Sequence, residues 1–491
     1  MPSVIPAPAR ATDREAAAFE FGAIGRIVAD ETARGVAELL AADVELRIGR
    51  RLDIVTDDAG PVDLELRIEP LPSASVEAHR LEVSAAGARL TATTAEGLYR
   101  GTRTILQLLG TDGTIAATLI EDEPRFAYRG VMLDVARHFF SVDDVTRYIE
   151  AIALLKFNHL HLHLTDDQGW RLEIDSRPEL TRRGSTTSVG GHGGGHYTHA
   201  DYRAIIDFAA ARFITVVPEI DVPGHTNAAL HSYPELTPDG VAPEPYEGIE
   251  VGFSSLDASR TETYAFLEDV IGEVAALTPG PYLHLGGDES LSTPADEYAM
   301  LIARATSIGA ATGKTIIGWH EMGASDALPR GTVGQYWSFT TPQDDSAERT
   351  RTFARNGGRV ILSPADVAYL DMRYPGETTG PDGRVLGLEW AEGATSLVDA
   401  YGWEPTSIVD GIGEADILGV EAPLWTETAR HIDDVTFLAF PRAAAIAEIA
   451  WSPRAVRDID DFTRRLPAFT GLLDERGVHH HAAAAEHRSV S

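Results

Sequence analysis

The chain has 491 residues, long enough for more than one domain and for a large core. It carries 41 Lys plus Arg against 75 Asp plus Glu, a formal net charge of −34, which argues against nucleic acid and anionic membrane surfaces as partners. There is no cysteine, so disulfides, thiolate nucleophiles and Cys-based metal sites are excluded, and the 44% hydrophobic content is ordinary for a soluble globular protein.

The first ten residues, Met1 to Arg10, lack a basic segment followed by an apolar core and do not read as a secretory signal. No apolar run is long enough to span a bilayer. The expected location is the cytoplasm; a secreted protein whose signal had been trimmed is the other reading. Residues 44–48, 64–68 and 90–93 alternate like half-buried strands, and 94–109 reads as an amphipathic helix. This predicts a small α+β domain over 1–122, joined through the polar, Pro-containing stretch 121–124 to a second domain over 123–491.

From Tyr128 onward short apolar runs alternate with longer helical stretches. Strands are expected at 128–134, 158–164, 213–219, 282–287, 314–319, 333–337, 358–363 and 417–424. Strands alternating with helices imply parallel βα units, and their number predicts a (β/α)8 TIM barrel. The glycine-rich stretch 189–196 reads as a flexible loop after the second strand, with a metal role for His192 and His196 as a side option. The run His479-His480-His481 reads as part of a frayed polar terminus rather than a metal site.

The strand ends carry the chemistry. The first runs from Arg129 to Asp134, Arg137 and His138. The second, His159-Leu160-His161-Leu162-His163-Leu164-Thr165-Asp166-Asp167, puts its histidines on one face and its leucines on the other. Inward histidines each need a polar partner. The third ends in Glu219, Asp221 and His225. The fourth ends in His284-Leu285-Gly286-Gly287-Asp288-Glu289, two adjacent acids where parallel folds place their active groups. On extended backbone these neighbours point different ways, so they are not a facing pair; a solvated acidic turn is the bland alternative. Trp319, Trp337 and Trp425 stand at three further strand ends, Glu321 and Glu427 close behind two of them, and Tyr369 and Asp371 follow strand seven. Core packing explains any single tryptophan, Trp390 included. Three at corresponding positions, beside acids and an arginine, suggest an aromatic-walled sugar site. His163, Asp166 and His225 could alternatively bind zinc, making a metal-dependent hydrolase. A non-catalytic glycan-binding protein on the same scaffold is the remaining reading.

Several long motifs occurring in order resemble the family 20 glycoside hydrolases, the β-N-acetylhexosaminidases. They are Arg129-Gly130-Val131-Met132-Leu133-Asp134-Val135-Ala136-Arg137-His138, the stretch from His161 to Arg171, the stretch from Pro218 to His225, and His284 to Glu289. The segment before residue 122 resembles the small domain that often precedes the barrel in that family. The resemblance implies Glu289 as general acid and then base, Asp288 as the group orienting the substrate's 2-acetamido group, and Tyr369 as donor to its oxygen. It implies Asp166 and His225 as a supporting pair near Glu289, and Trp319, Trp337 and Trp425 as walls. It further implies Arg129, Asp371 and Glu427 on ring hydroxyls, with His163 and Trp390 among the substrate-binding residues. No cofactor and no metal are implied. The partner would be an N-acetylhexosamine-containing oligosaccharide or glycoconjugate; GlcNAc or GalNAc preference and oligomeric state are not legible. Most glycosidases need two facing carboxylates, and substrate-assisted families are the exception. Adjacent Asp288 and Glu289 fit that exception: the acetamido oxygen attacks, an oxazolinium forms, and two displacements give retention. Glu289 is then expected to have its pKa raised by the charge of Asp288.

Overall fold

Eight of the expected apolar runs form strands that pair side by side in chain order, and the last closes on the first. They are β1 (Tyr128–Asp134), β2 (His159–His163), β3 (Thr215–Glu219), β4 (Tyr282–His284), β5 (Thr315–Trp319), β6 (Val333–Tyr336), β7 (Val360–Leu362) and β8 (Ile417–Ala422). Every neighbouring pair is parallel, and Tyr128 pairs with Gly419 to close the barrel. This computed structural model describes residues 2–13, 17–21, 25–56, 63–376, 378–380 and 382–482. Among them no helix is long and apolar enough to cross a membrane.

Helices return the chain between most strands, as parallel pairing requires. After β5 the return begins instead with a short 3-10 turn, His320–Ala324. Five strands stop short of the expected ends. β4 ends at His284 because Gly286 and Gly287 adopt φ of 61° and 99°, which no strand continues. The glycine-rich stretch 189–196 is a loop but a tethered one. Gly190 N–H donates to the Glu247 carbonyl at 2.8 Å and Gly195 N–H to the Ser185 carbonyl at 2.9 Å. His192 and His196 lie against separate partners, the Val189 carbonyl and the Ser185 hydroxyl.

The barrel interior is polar at its centre. Register sets Asp134, His163, Glu219 and His284 side by side on β1 to β4. The inward histidines find the partners they need: His161 lies 2.9 Å from Glu421, His284 lies 2.9 Å from Glu219, and His163 bonds Glu219 as well.

The chain divides into two compact units. The barrel belongs to Tyr128–Glu150 with Phe157–Ala439; the other unit takes Met1–Ala127, Ala151–Lys156 and Phe440–Ser491. In this division residues 440–482 group with the N-terminal segment, whereas the sequence reading kept them with the barrel. Buried ion pairs explain that assignment. Asp122 bonds Lys156 at 2.7 Å and the Trp451 indole at 2.9 Å, and Arg465 grips Glu448 at 2.7 Å. The Trp451–Asp122 bond spans 329 residues and the bond from Ala7 N–H to Glu448 spans 441, and separations of that size leave no local sequence pattern.

This unit carries a seven-stranded mixed sheet and the helices Arg34–Ile48 and Ala95–Leu108. Thr94 caps the second by accepting from Gly97 N–H at 3.1 Å. The strand expected at 44–48 is instead the last turn of the first helix. Its buried residues, Val36, Ala37, Leu40, Ala41 and Val44, follow helical spacing, while Leu46 is exposed. Five residues are too few to separate a period of two from one of 3.6.

Candidate active site

The site begins where β4 stops. A Cβ on Gly286 would sit 1.7 Å from Asp221 Oδ1, and one on Gly287 would sit 2.6 Å from Met322 Cγ, so only glycine fits either position. Gly287 N–H donates to Asp221 Oδ1 at 3.0 Å, which pins the turn. Glu289 itself takes φ of 43°, in the left-handed region. The two acids thus diverge by a tight turn rather than by strand alternation. The Asp288 side chain is 9% exposed and that of Glu289 34%. Both line one cavity of about 390 Å³, Asp288 as the more deeply buried group.

A buried chain of polar groups backs Glu289. His225 Nε2 lies 3.5 Å from Glu289 and 3.9 Å from Asp288, and His225 Nδ1 lies 3.3 Å from Asp166. Asp166 Oδ2 in turn bonds His163 at 2.8 Å and Arg137 at 2.8 Å. Burial opposes every charge in this chain, but the pairing outweighs it. Arg137 and His225 hold Asp166 well below its ordinary pKa, and Asp166 holds His225 well above its own. The trio His163, Asp166 and His225, considered as zinc ligands, is occupied in these ion pairs. The buried groupings that could hold an ion include Asp221, His225 and Asp288 but not that trio.

Three carboxyls near the cavity are pushed the other way. Burial raises Asp288 to about 6 despite the attraction of His225, with the charge of Glu289 adding to the rise. Burial raises Glu427 to about 7 against the pull of Arg137. Burial, then the charge of Asp288, raises Glu321 to about 8. Among the described residues nothing bonds Asp288 Oδ1 or Glu427 Oε2. Two buried acceptor atoms thus await donors, as a polyhydroxylated ligand would supply.

The aromatic residues divide. Trp337, Trp390, Trp425 and Tyr369 line the cavity. Trp390 is 45% exposed and meets Trp337 and Tyr369 edge-on, so it is a rim residue and not core. Trp319 is fully buried, its ring 4.9 Å from His284 and 6.1 Å from Trp425. It is the floor beneath the wall, because the last residue of β5 points into the barrel.

Arg129 is misplaced by the sequence reading. It is the second residue of β1, paired with Val420 at the end of the barrel away from the acids, and it does not line the cavity. Arg137, beyond the carboxyl end of β1, does line it, with its guanidinium 4.7 Å from the Trp425 ring centre. In parallel barrels the carboxyl ends of the strands face the ligand, which decides between two arginines of one motif. Asp371 is buried and accepts from the Trp425 backbone N–H at 3.4 Å, so it braces a wall residue. His163 lies beneath the wall, its ring 4.9 Å from that of Trp425. Glu427 lines the cavity. Ile249, Val251, Leu388 and Glu389 complete the lining and carried no signal, since they lie on loops without a strand-end pattern.

The model of the catalytic domain of glycosyl hydrolase family 20 matches residues 126–295 and 290–454, and that of domain 2 of the same family matches residues 1–123. The chain belongs to glycosyl hydrolase family 20. Among family members, a β-N-acetylhexosaminidase from Cellulomonas fimi is 44% identical over 98% of this chain and 96% of its own length. The structure of Streptomyces plicatus N-acetyl-β-hexosaminidase in complex with thio-NAglucal superposes with a TM-score of 0.91 at 43% identity, covering 98% of this chain and 96% of that one. A mutant of that Streptomyces plicatus enzyme in complex with product (GlcNAc) gives a TM-score of 0.91, 43% identity and the same coverage. As a family 20 member the chain is a glycoside hydrolase.

Proposed function

We propose that the chain is a retaining β-N-acetylhexosaminidase that removes terminal non-reducing GlcNAc or GalNAc residues by substrate-assisted catalysis. The observation that carries this reading is the pair Asp288 and Glu289 at different depths of one aromatic-walled cavity. Two acids one residue apart do not flank a bond from opposite faces, so the nucleophile must come from elsewhere. A relative with thio-NAglucal bound and one with GlcNAc bound support an N-acetyl sugar in this cavity.

The steps follow from the residues. The 2-acetamido carbonyl oxygen attacks C1 from within the same molecule, at high effective molarity. Glu289, the more exposed acid, donates its proton to the departing glycosidic oxygen. Asp288, buried below, meets the positive charge that develops on the oxazolinium. Its raised pKa is the cost of holding a carboxyl there without a tight cation, and the developing cation supplies that partner. Tyr369, which lines the same cavity, would donate to the acetamido oxygen. Water then attacks C1 with Glu289 as base, and the second inversion restores the starting configuration. Through His225, Asp166 stabilises the proton that Glu289 exchanges. Arg137 and Glu427 would hold ring hydroxyls at the cavity wall.

The test compares a chromogenic N-acetylglucosaminide with the plain glucoside, and a trifluoroacetamido glycoside with both. Hydrolysis confined to the acetamido substrate, strong slowing by fluorine, and a β-configured first product by NMR are expected. A covalent sugar ester trapped on Asp288, Glu289 or any other carboxylate would falsify the mechanism.

A further inference from the structure

Trp337 stands between two spaces. On one side it lines the catalytic cavity. On the other it lines a larger one of about 720 Å³, together with Glu321, His320, Phe339 and Arg349. An indole between two cavities has room to turn unless its polar edge is held. That edge is held at one place: Trp337 Nε1–H donates to both carboxyl oxygens of Glu321, at 2.9 Å each. The strands build this contact. Trp319 on β5 pairs with Gln335 on β6, so the residues two further on, Glu321 and Trp337, come abreast just beyond the strand ends.

We propose that Glu321 is a positioning residue that fixes the Trp337 indole as the wall of the N-acyl end of the cavity, and so sets the largest N-acyl group accepted. This rests on the functional reading above. Trp337 packs with Trp390 at the rim and lies over the cluster containing Tyr369, Trp319 and Trp425. It therefore bounds the part of the cavity beside Asp288 and Tyr369, where the 2-acetamido group must sit to react. A fixed wall there admits a methyl group and excludes longer chains. With the indole free to swing toward the 720 Å³ space, the cavity lengthens. Burial, then Asp288, pushes the Glu321 carboxyl up to about 8, so near neutral pH it keeps its proton and a glutamine replaces it closely. The mechanism above gives Glu321 no proton to move, yet it is a carboxyl kept in a costly place beside two other acids.

The experiment measures kcat/KM of the full chain and its variants on the 4-nitrophenyl glycosides of N-acetyl-, N-propionyl- and N-butyryl-glucosamine. Glu321→Gln should retain both activity and selectivity to within about threefold. Glu321→Ala, and Glu321→Asp with its shorter reach, should lose roughly tenfold or more of the N-acetyl over N-butyryl preference, the scale of one methylene in an apolar pocket. Trp337→Phe, which lacks the donor, should shift the preference the same way, and adding Glu321→Ala to it should change the ratio little further. A Glu321→Ala enzyme with unchanged selectivity overturns the proposal, even if its activity falls. So does a Glu321→Gln enzyme as unselective as the alanine variant, because charge and not the indole bond would then be responsible. Should the alanine variant not fold, Glu321→Asp and Trp337→Phe decide by the same ratio. A wild-type chain inactive on the N-acetyl glycoside overturns the functional reading itself, a separate outcome.

Discussion

Asp122 in the first unit and Asp288 in the barrel are both buried carboxyls, and their surroundings could hardly differ more. Asp122 bonds the ammonium of Lys156 at 2.7 Å, the Trp451 indole at 2.9 Å and the Ala9 N–H at 2.9 Å. Its pKa lies below the ordinary value although burial pushes the other way. Asp288 has one distant cation, His225 at 3.9 Å, with Glu289, Glu219 and Asp221 nearby, and burial raises it to about 6. A buried acid with a full set of partners holds a fold together. A buried acid left short of cations is kept for a ligand that brings the missing charge.

Substitutions can break this contrast. The largest effect is expected for Glu289→Gln, which should lower kcat by about 10³-fold on poor leaving groups and much less on activated aryl ones, with an unchanged melting temperature. Equal loss on both would remove Glu289 from the acid role.

Next come Asp288→Asn and Asp122→Asn, the same change in the two surroundings. Asp288→Asn should cost roughly 10²–10³-fold in kcat with stability equal or higher, since it removes an uncompensated charge. Asp122→Asn should cost about 3–5 kcal/mol in denaturant unfolding and leave kcat per folded molecule unchanged, since it removes the charge facing the buried Lys156 ammonium. Interchanged phenotypes would defeat the comparison.

Arg137→Lys should raise KM about tenfold through loss of planar two-point bonding, while Arg129→Lys should leave KM unchanged in whatever protein folds. A KM effect at Arg129 instead would restore the ligand role that the structure withdraws.

The last test is a pH dependence. Asp288, Glu427 and Glu321 have folded values above their unfolded ones, so between about pH 4 and 8 the folded state binds more protons. Stability of the barrel should fall as pH rises through that window, by up to about 1.4 kcal/mol per pH unit for each such carboxyl. Asp122 works in the opposite sense: its contribution is present above its unfolded value and is lost as pH falls through the lower, folded one. Chemical unfolding from pH 5 to 8 should show a falling limb that Glu321→Gln flattens; a limb unaltered by that change would contradict the assignment.

Much of this was legible in the chain. Apolar runs of strand length alternating with helical stretches determined the barrel, because hydrophobic period and turn chemistry are local properties. Gly286-Gly287-Asp288-Glu289 after the run 281–285 located the paired acids of the cavity for the same reason. The alternating histidines of β2 announced a polar interior and demanded acids, without saying which. Only the tertiary structure named Glu219 and Glu421 as those acids. It also chose Arg137 over Arg129, made Trp319 floor and Trp337 wall, and moved the segment after Phe440 to the other unit. Nothing local in the sequence marked Asp288, Glu427 and Glu321 as the carboxyls that burial raises. Desolvation and pairing depend on which groups distant in sequence share one low-dielectric space, and no window of sequence contains that information.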